Sequence, residues 1–231
     1  MLGTTTRSLL VIAPHGDDEA LGAGALIAKC ELLKVPAHVV IVATDASNHY
    51  GLARPTTLEE RLAEIEDSAR ILGFTFEVLF AGRDKLERLD TLPLRELVDA
   101  IERIVDARAP DIVVLPHGDD YDQDHVACFR AGHAALRPMP AGTGKHLVRA
   151  VLTYEMPKLA WALQPFRPTI YLAADAGLLE RKCAAIEAYR SQVRPEPHIR
   201  SVANVRRLAA LRGAEIGSEF AEAYHALRWV L

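Results

Sequence analysis

The sequence predicts an α/β protein with a mostly parallel sheet covered by helices on both faces. Three observations lead there. Short, β-branched apolar runs alternate with longer stretches of helical periodicity. Half of the 231 residues are hydrophobic, enough to fill a core of that size. The stretch from Leu9 to Gly22, LLVIAPHGDDEALG, reads as strand, abrupt turn and helix, the unit by which open sheets present ligand groups at the C-terminal ends of their strands.

Taken in order, Ser8 to Ala13 is the first strand, and a helix runs from Asp18 to about Leu33. Ala37 to Thr44, AHVVIVAT, is a continuous apolar second strand, followed by the polar loop Asp45 to Pro55. Thr57 with Glu60 forms a capping box. Leu58, Leu62, Ile65, Ala69 and Leu72 then recur at 4,3,4,3 spacing, and Gly73 ends the helix. Phe74 to Phe80 is a third strand, and Gly82 to Leu92 a charged loop. Leu94, Leu97, Val98, Ile101, Ile104 and Val105 stripe a further helix that Pro110 ends. Asp111 to Leu115 is a fourth buried strand. Arg137 to Lys145 is a Pro/Gly loop whose GTGK lacks the glycine-to-lysine spacing of a phosphate loop. Arg149 to Glu155 and Thr169 to Leu172 read as strands separated by proline-broken chain. Asp175 caps a helix predicted to reach Val193. Ser201 to Arg212 and about Glu215 to Leu231 are expected to be two closing helices around Gly213. No stretch has the composition of a linker, so one domain over 1–231 is expected.

Composition narrows the function. The balance of 27 basic against 31 acidic residues leaves no nucleic-acid footprint. The apolar run near the start is too short to span a membrane. Three scattered cysteines, Cys30, Cys128 and Cys183, do not make a disulfide framework and fit a reducing cytoplasm.

The turn after the first strand carries His15, Asp17, Asp18 and Glu19. Four ionisable groups beside a core strand are costly to hold as bare charges, and a divalent metal would relieve that cost. His15 and Asp18 offer the nitrogen and oxygen ligands that suit zinc, leaving Asp17 free as a base. The plainer reading is a helix N-cap cluster, which does not need His15. PHGDD recurs at Pro116 to Asp120, again after an apolar strand. Directly behind it comes YDQDHVACFRAGHAAL, where His125 is the natural third ligand, Asp122 stands three residues before it and Asp124 is placed to orient a ring. Three protein ligands leave one position open, as catalytic zinc sites require. A helix-start histidine with acidic neighbours is otherwise a solvated cap.

At this point the residues resemble a known family, the LmbE-like or PIG-L-like zinc-dependent N-acetylglucosaminyl deacetylases. PHGDDE at Pro14 to Glu19 resembles the signature PHPDDE, with Gly16 in place of proline. LGAGALIA, Arg61 with Glu64 and Leu72-Gly73, APDIVVLP followed by DQDH, Tyr189 with Ser191-Gln192, Arg212-Gly213 and AEAY at Ala221 to Tyr224 resemble its other segments. The resemblance implies a Rossmann-like three-layer sandwich, zinc on His15, Asp18 and His125, Asp17 as general base, and removal of an N-acetyl group from an amino sugar. One position departs. Where many members carry a histidine that polarises the substrate carbonyl, this chain has Asp122. A carboxylate cannot stabilise an oxyanion unless protonated, so zinc acts alone, His117 or Arg54 takes over, or the chemistry is altered.

Asn48, His49, Tyr50 and Arg54, in the loop after the second strand, are sugar-binding candidates. Arg61 either reaches a substrate group or pairs with Glu64 or Glu60 on its own helix. His38, His133, His146, His198 and His225 read as structural, as do Cys128, Trp161 and Trp229. Two alternatives stand beside the deacetylase: a catalytically altered or regulatory sugar- or nucleotide-binding protein on the same fold, and a metal-dependent hydrolase of another bond. The Ala-rich closing helices would suit the interface of a homo-oligomer.

Overall fold

The computed structural model describes residues 8–47, 54–140 and 142–230. Its elements are β1 (Leu9–Ala13), α1 (Asp18–Leu32), β2 (Ala37–Thr44), α2 (Leu58–Leu72), β3 (Thr75–Ala81), α3 (Leu94–Arg108), β4 (Ile112–Leu115), α4 (Gln123–Ala135), β5 (Ala150–Tyr154), β6 (Ile170–Ala174), α5 (Ala176–Ala188), α6 (Val202–Ala214) and β7 (Phe220–Trp229). Short 3-10 turns cover Leu89–Thr91 and Pro157–Trp161. The seven strands lie in the order β3-β2-β1-β4-β5-β7-β6. The first five are parallel, and β7 is antiparallel to both β5 and β6.

The three layers follow from strand alternation. Leu9, Val11 and Ala13 face a core filled from α1, α2 and α5, whereas Leu10 and Ile12 face a second core filled from α3 and α4. Every residue of β1 and β2 is buried, which is why both strands read as unbroken apolar runs. The capping box on α2 forms as expected, and Gly73 closes that helix at φ 82°.

The largest departure from the sequence reading is β7. The Ala- and Glu-rich segment Phe220–Trp229 is a strand, not a closing helix. Helix propensity is outweighed by the slot between β5 and β6, whose facing edges would otherwise stay unpaired. The strand setting also lets Glu222 reach inward. Helix α1 is kinked at Ala23 (φ −138°), and Glu222 accepts hydrogen bonds from the amides of Ala25 and Leu26 at 2.7 and 2.8 Å, just past the kink. Lys182 and the Tyr224 hydroxyl donate to the same carboxylate. The sequence argument for an oligomer thereby loses one of its two helices. Helix α5 is also shorter than expected, ending at Ala188.

Candidate metal and catalytic site

In the strand order, the chain leaves β1 toward β2 and β3, then returns to β4 on the other side. The crevice at such a reversal, beyond the strand C-termini, is where doubly wound sheets bind ligands. His15 lies just past β1, and His125 lies in the first turn of α4, after β4. Two segments more than a hundred residues apart therefore meet at one sheet edge.

The turn after β1 is tightly determined. Asp18 Oδ2 accepts a hydrogen bond from the His15 amide at 2.9 Å. Glu19 accepts one from the Asp17 amide at 3.1 Å, and its other oxygen is held by Ser68 and Tyr189. Burial is the main cause that raises the Glu19 pKa, to about 7. Asp17 is the helix N-cap residue, yet its side chain makes no capping bond. Its φ is 125°, a conformation that costs a non-glycine residue about 1–3 kcal/mol and collects at functional sites.

Three ligand atoms, one each from His15, Asp18 and His125, lie within 4.8 Å of one another and could hold a metal ion. The hydrogen bonding around them fits that use. His15 Nε2 sits 2.9 Å from Asp124 Oδ2. A carboxylate only accepts, so Nε2 carries a proton, and Nδ1 faces Asp18, 3.5 Å away. Asp124 is itself fixed, because its Oδ1 accepts from the Leu89 amide at 2.8 Å. His125 Nδ1 lies 3.1 Å from Asp120 Oδ2, and its Nε2 lies 3.1 Å from Asp18 Oδ2. Neither nitrogen of this buried ring has a well-formed hydrogen bond, as expected of an imidazole aimed at a cation. Burial opposes charge on His15, but bonds to Asp124 and Asp18 outweigh it and push the pKa up to about 10. His125 is raised despite burial because Asp18 and Asp120 flank it.

A cavity of about 200 Å³ opens beside this group, lined in part by His15, Asp17, Tyr121, Asp122, Lys158 and Arg200. Asp17 Oδ2 is 3.3 Å from the Arg200 guanidinium. Burial raises the Asp17 pKa, and Arg200 counteracts that rise only in part. Asp122 caps α4 through the Asp124 amide and accepts from Lys158 Nζ at 3.2 Å.

The remaining predicted residues divide. Asp124 holds the His15 ring. Arg61 also lines the cavity, but it is buried rather than on a helix surface, and its guanidinium is engaged by Glu64, Ser191 and the Gly16 carbonyl. Arg54 is turned to Glu60 and borders a separate depression with Thr56 and Arg190. His117 binds Thr153 Oγ1 at 3.0 Å and packs edge-on against Phe166, outside the cavity lining. Asn48, His49 and Tyr50 lie outside the described residues. Sequence reasoning missed Asp120, Lys158 and Arg200, and it read His198, which lines the cavity, as structural. Asp120 had a signal: it is the second PHGDD copy's counterpart of Asp18. Lys158 and Arg200 arrive from segments with no motif of their own.

Comparison with known proteins places the chain among relatives of the same fold. The chain is 26% identical over 192 residues to the Escherichia coli protein named "Uncharacterized deacetylase YaiS", covering 80% of this chain and 91% of that one. It shares its fold with N,N'-diacetylchitobiose deacetylase from Pyrococcus horikoshii (TM-score 0.71, 23% identity, 96% of this chain and 84% of that one). It also shares its fold with GalB, the 4-carboxy-2-hydroxymuconate hydratase of Pseudomonas putida (TM-score 0.78, 19% identity, 97% and 98%). Fold alone therefore does not choose between reactions. Residues 10–136, more than half of the chain and including both halves of the metal-ligand group, match the family described as PIG-L: GlcNAc-PI de-N-acetylase, and the protein belongs to that family.

Proposed function

We propose that this protein is a zinc-dependent N-deacetylase, one domain over 1–231, that releases acetate from an N-acetylglucosamine-type amino sugar or its conjugate. The observation that carries the reading is the convergence of His15, Asp18 and His125 beside a strained, buried Asp17. The family match and the deacetylase relative support the same bond type.

His15 Nδ1, Asp18 and His125 Nε2 would hold the metal. A bound zinc ion supplies Lewis acidity and lowers the pKa of a water from 15.7 to about 7. Asp17 takes the proton of the attacking water and later delivers it to the departing amine nitrogen. Its raised pKa suits that second task, and Arg200 partly offsets the rise and holds the carboxylate at 3.3 Å. Asp124 fixes the His15 ring, and Asp120 stands 3.1 Å from His125 Nδ1. The polar walls suit a ligand rich in hydroxyl groups. Arg61 supports the Gly16 turn. Among the described residues no helix is long and apolar enough to cross a membrane. The three cysteines are free and buried, which supports a cytoplasmic setting.

The test is acetate release from a panel of N-acetylated sugars and conjugates by the zinc-loaded protein. Asp17→Asn should keep full zinc content and lose about 10²–10⁴-fold in turnover. Acetate release from no member of the panel, or undiminished turnover in the variant, would refute the reading.

A further inference from the structure

A tetrahedral anion forming in this cavity needs a hydrogen-bond donor, and Asp122, which lines it, is an acceptor. Asp122 does not stand alone. Lys158, from the 3-10 turn after β5, places Nζ 3.2 Å from Asp122 Oδ2 and 3.3 Å from Asp120 Oδ2. The lysine is 4% exposed. Burying an ammonium costs several kcal/mol unless it is paired, and here two carboxylates pair it. Asp18, Asp122 and Asp120 together overcome the opposing effect of burial and raise its pKa, so the ammonium carries its full charge at neutral pH.

An ammonium has three N–H bonds. One donates to Asp122, Asp120 Oδ2 stands 3.3 Å from Nζ as an ion-pair partner, and the ammonium also lies over the Tyr121 ring, 5.4 Å from its centroid; both Tyr121 and Lys158 line the cavity. Asp122 Oδ2 is 3.9 Å from His125 Nε2, so the ammonium sits one carboxylate away from the metal-ligand group. The arrangement offsets one of the wall's two carboxylate charges and brings a cationic donor to the cavity. His117 and Arg54 are both engaged elsewhere.

We propose that Lys158 is the oxyanion donor of this site: a catalytic residue that hydrogen-bonds the substrate carbonyl oxygen, with Asp122 and Asp120 holding its ammonium in place. This rests on the deacetylase reading. As water oxygen bonds to the acyl carbon, the C=O π pair moves onto oxygen, and the new negative charge faces an N–H of Lys158. Lys158 keeps its proton throughout. When the pair returns, the C–N bond breaks and the nitrogen leaves with the proton that Asp17 took from water.

The test uses zinc-loaded wild type, Lys158→Met, Lys158→Arg and the charge-balanced double variant Lys158→Met with Asp122→Asn, each checked for folding by thermal melting. Turnover is measured on paired N-acetyl and N-trifluoroacetyl sugars. Zinc affinity is measured by chelator competition, and methylphosphonate binding serves as the probe of the tetrahedral anion. Loss of an oxyanion donor lowers kcat about 10²–10³-fold. We expect that loss in Lys158→Met with KM and zinc affinity little changed, a smaller loss on the activated trifluoroacetyl group, partial recovery in Lys158→Arg, and weaker methylphosphonate binding. A kcat within about threefold of wild type in either methionine variant overturns the proposal, on the scale of the loss expected of a missing donor. So does an equal loss on both acyl groups accompanied by weakened zinc binding, which marks a purely structural lysine. If wild type releases no acetate, the deacetylase reading fails on its own. Methylphosphonate then still decides Lys158: unchanged binding in the methionine variants overturns its role as anion donor, and weakened binding upholds it.

Discussion

Asp124→Asn changes one atom of a buried side chain, and its consequence follows from proton bookkeeping on His15. In the wild type, Asp124 Oδ1 accepts from the Leu89 amide at 2.8 Å and Oδ2 faces His15 Nε2 at 2.9 Å. An asparagine can keep the first bond only by presenting its carbonyl oxygen to Leu89. Its NH2 group then faces Nε2, which must become an acceptor, and the imidazole proton moves to Nδ1. That proton sits where the metal should be. Removing an outer carboxylate from a metal-bound histidine typically weakens binding 10–100-fold, about 1.4–2.8 kcal/mol, and the wrong tautomer places Asp124→Asn at the upper end. Asp124→Ala, which leaves the tautomer free, should be less damaging to zinc affinity despite losing more contacts. Chelator competition on both variants measures this. Unchanged zinc affinity in Asp124→Asn would show that His15 does not bind through Nδ1, and a worse alanine variant would show that packing rather than proton placement is what Asp124 supplies.

Two further predictions concern the frame around the site. A Cβ on Gly22 would lie 2.3 Å from the buried Tyr154 ring, so Gly22→Ala should destabilise the fold by about 1–3 kcal/mol; thermal melting should fall by roughly 2–4 °C for each kcal/mol, and an unchanged Tm would mean that α1 can slide away from β5. His38, between Thr75 and Glu77 on the β2–β3 pair, has its pKa lowered below 6.5, mainly by burial and against the pull of Glu77. The unfolded chain therefore takes up its proton first on acidification, so the contribution of His38 is full above pH 6.5 and is lost as pH falls through its folded-state pKa; NMR titration should place that pKa below 6.5, and a value above it would refute the sign.

Local signals carried the first half of the fold far into the site. An apolar run, a Pro/Gly turn and an amphipathic repeat each depend on residues a few positions apart, so β1, α1, β2 and α2 were legible. So was the grouping of His15, Asp18 and His125, whose ligand atoms lie within 4.8 Å of one another, because each half of the group is written in a short local motif. The error at β7 arose where local preference and tertiary demand disagree. Ala221, Glu222 and Ala223 favour a helix in isolation, but the gap between β5 and β6 and the amides freed by the α1 kink both call for a strand.

What the sequence by itself determined, then, is the alternating α/β architecture and the set of groups able to bind a divalent ion. Only the tertiary structure decided the surroundings of those groups: which carboxylate holds which imidazole, that Arg200 meets Asp17, and that Lys158 faces Asp122. The reason is physical. A metal-ligand motif is dictated by bonds that every such site must make, whereas charge compensation in a buried cavity can come from any segment the fold brings within about 3–4 Å.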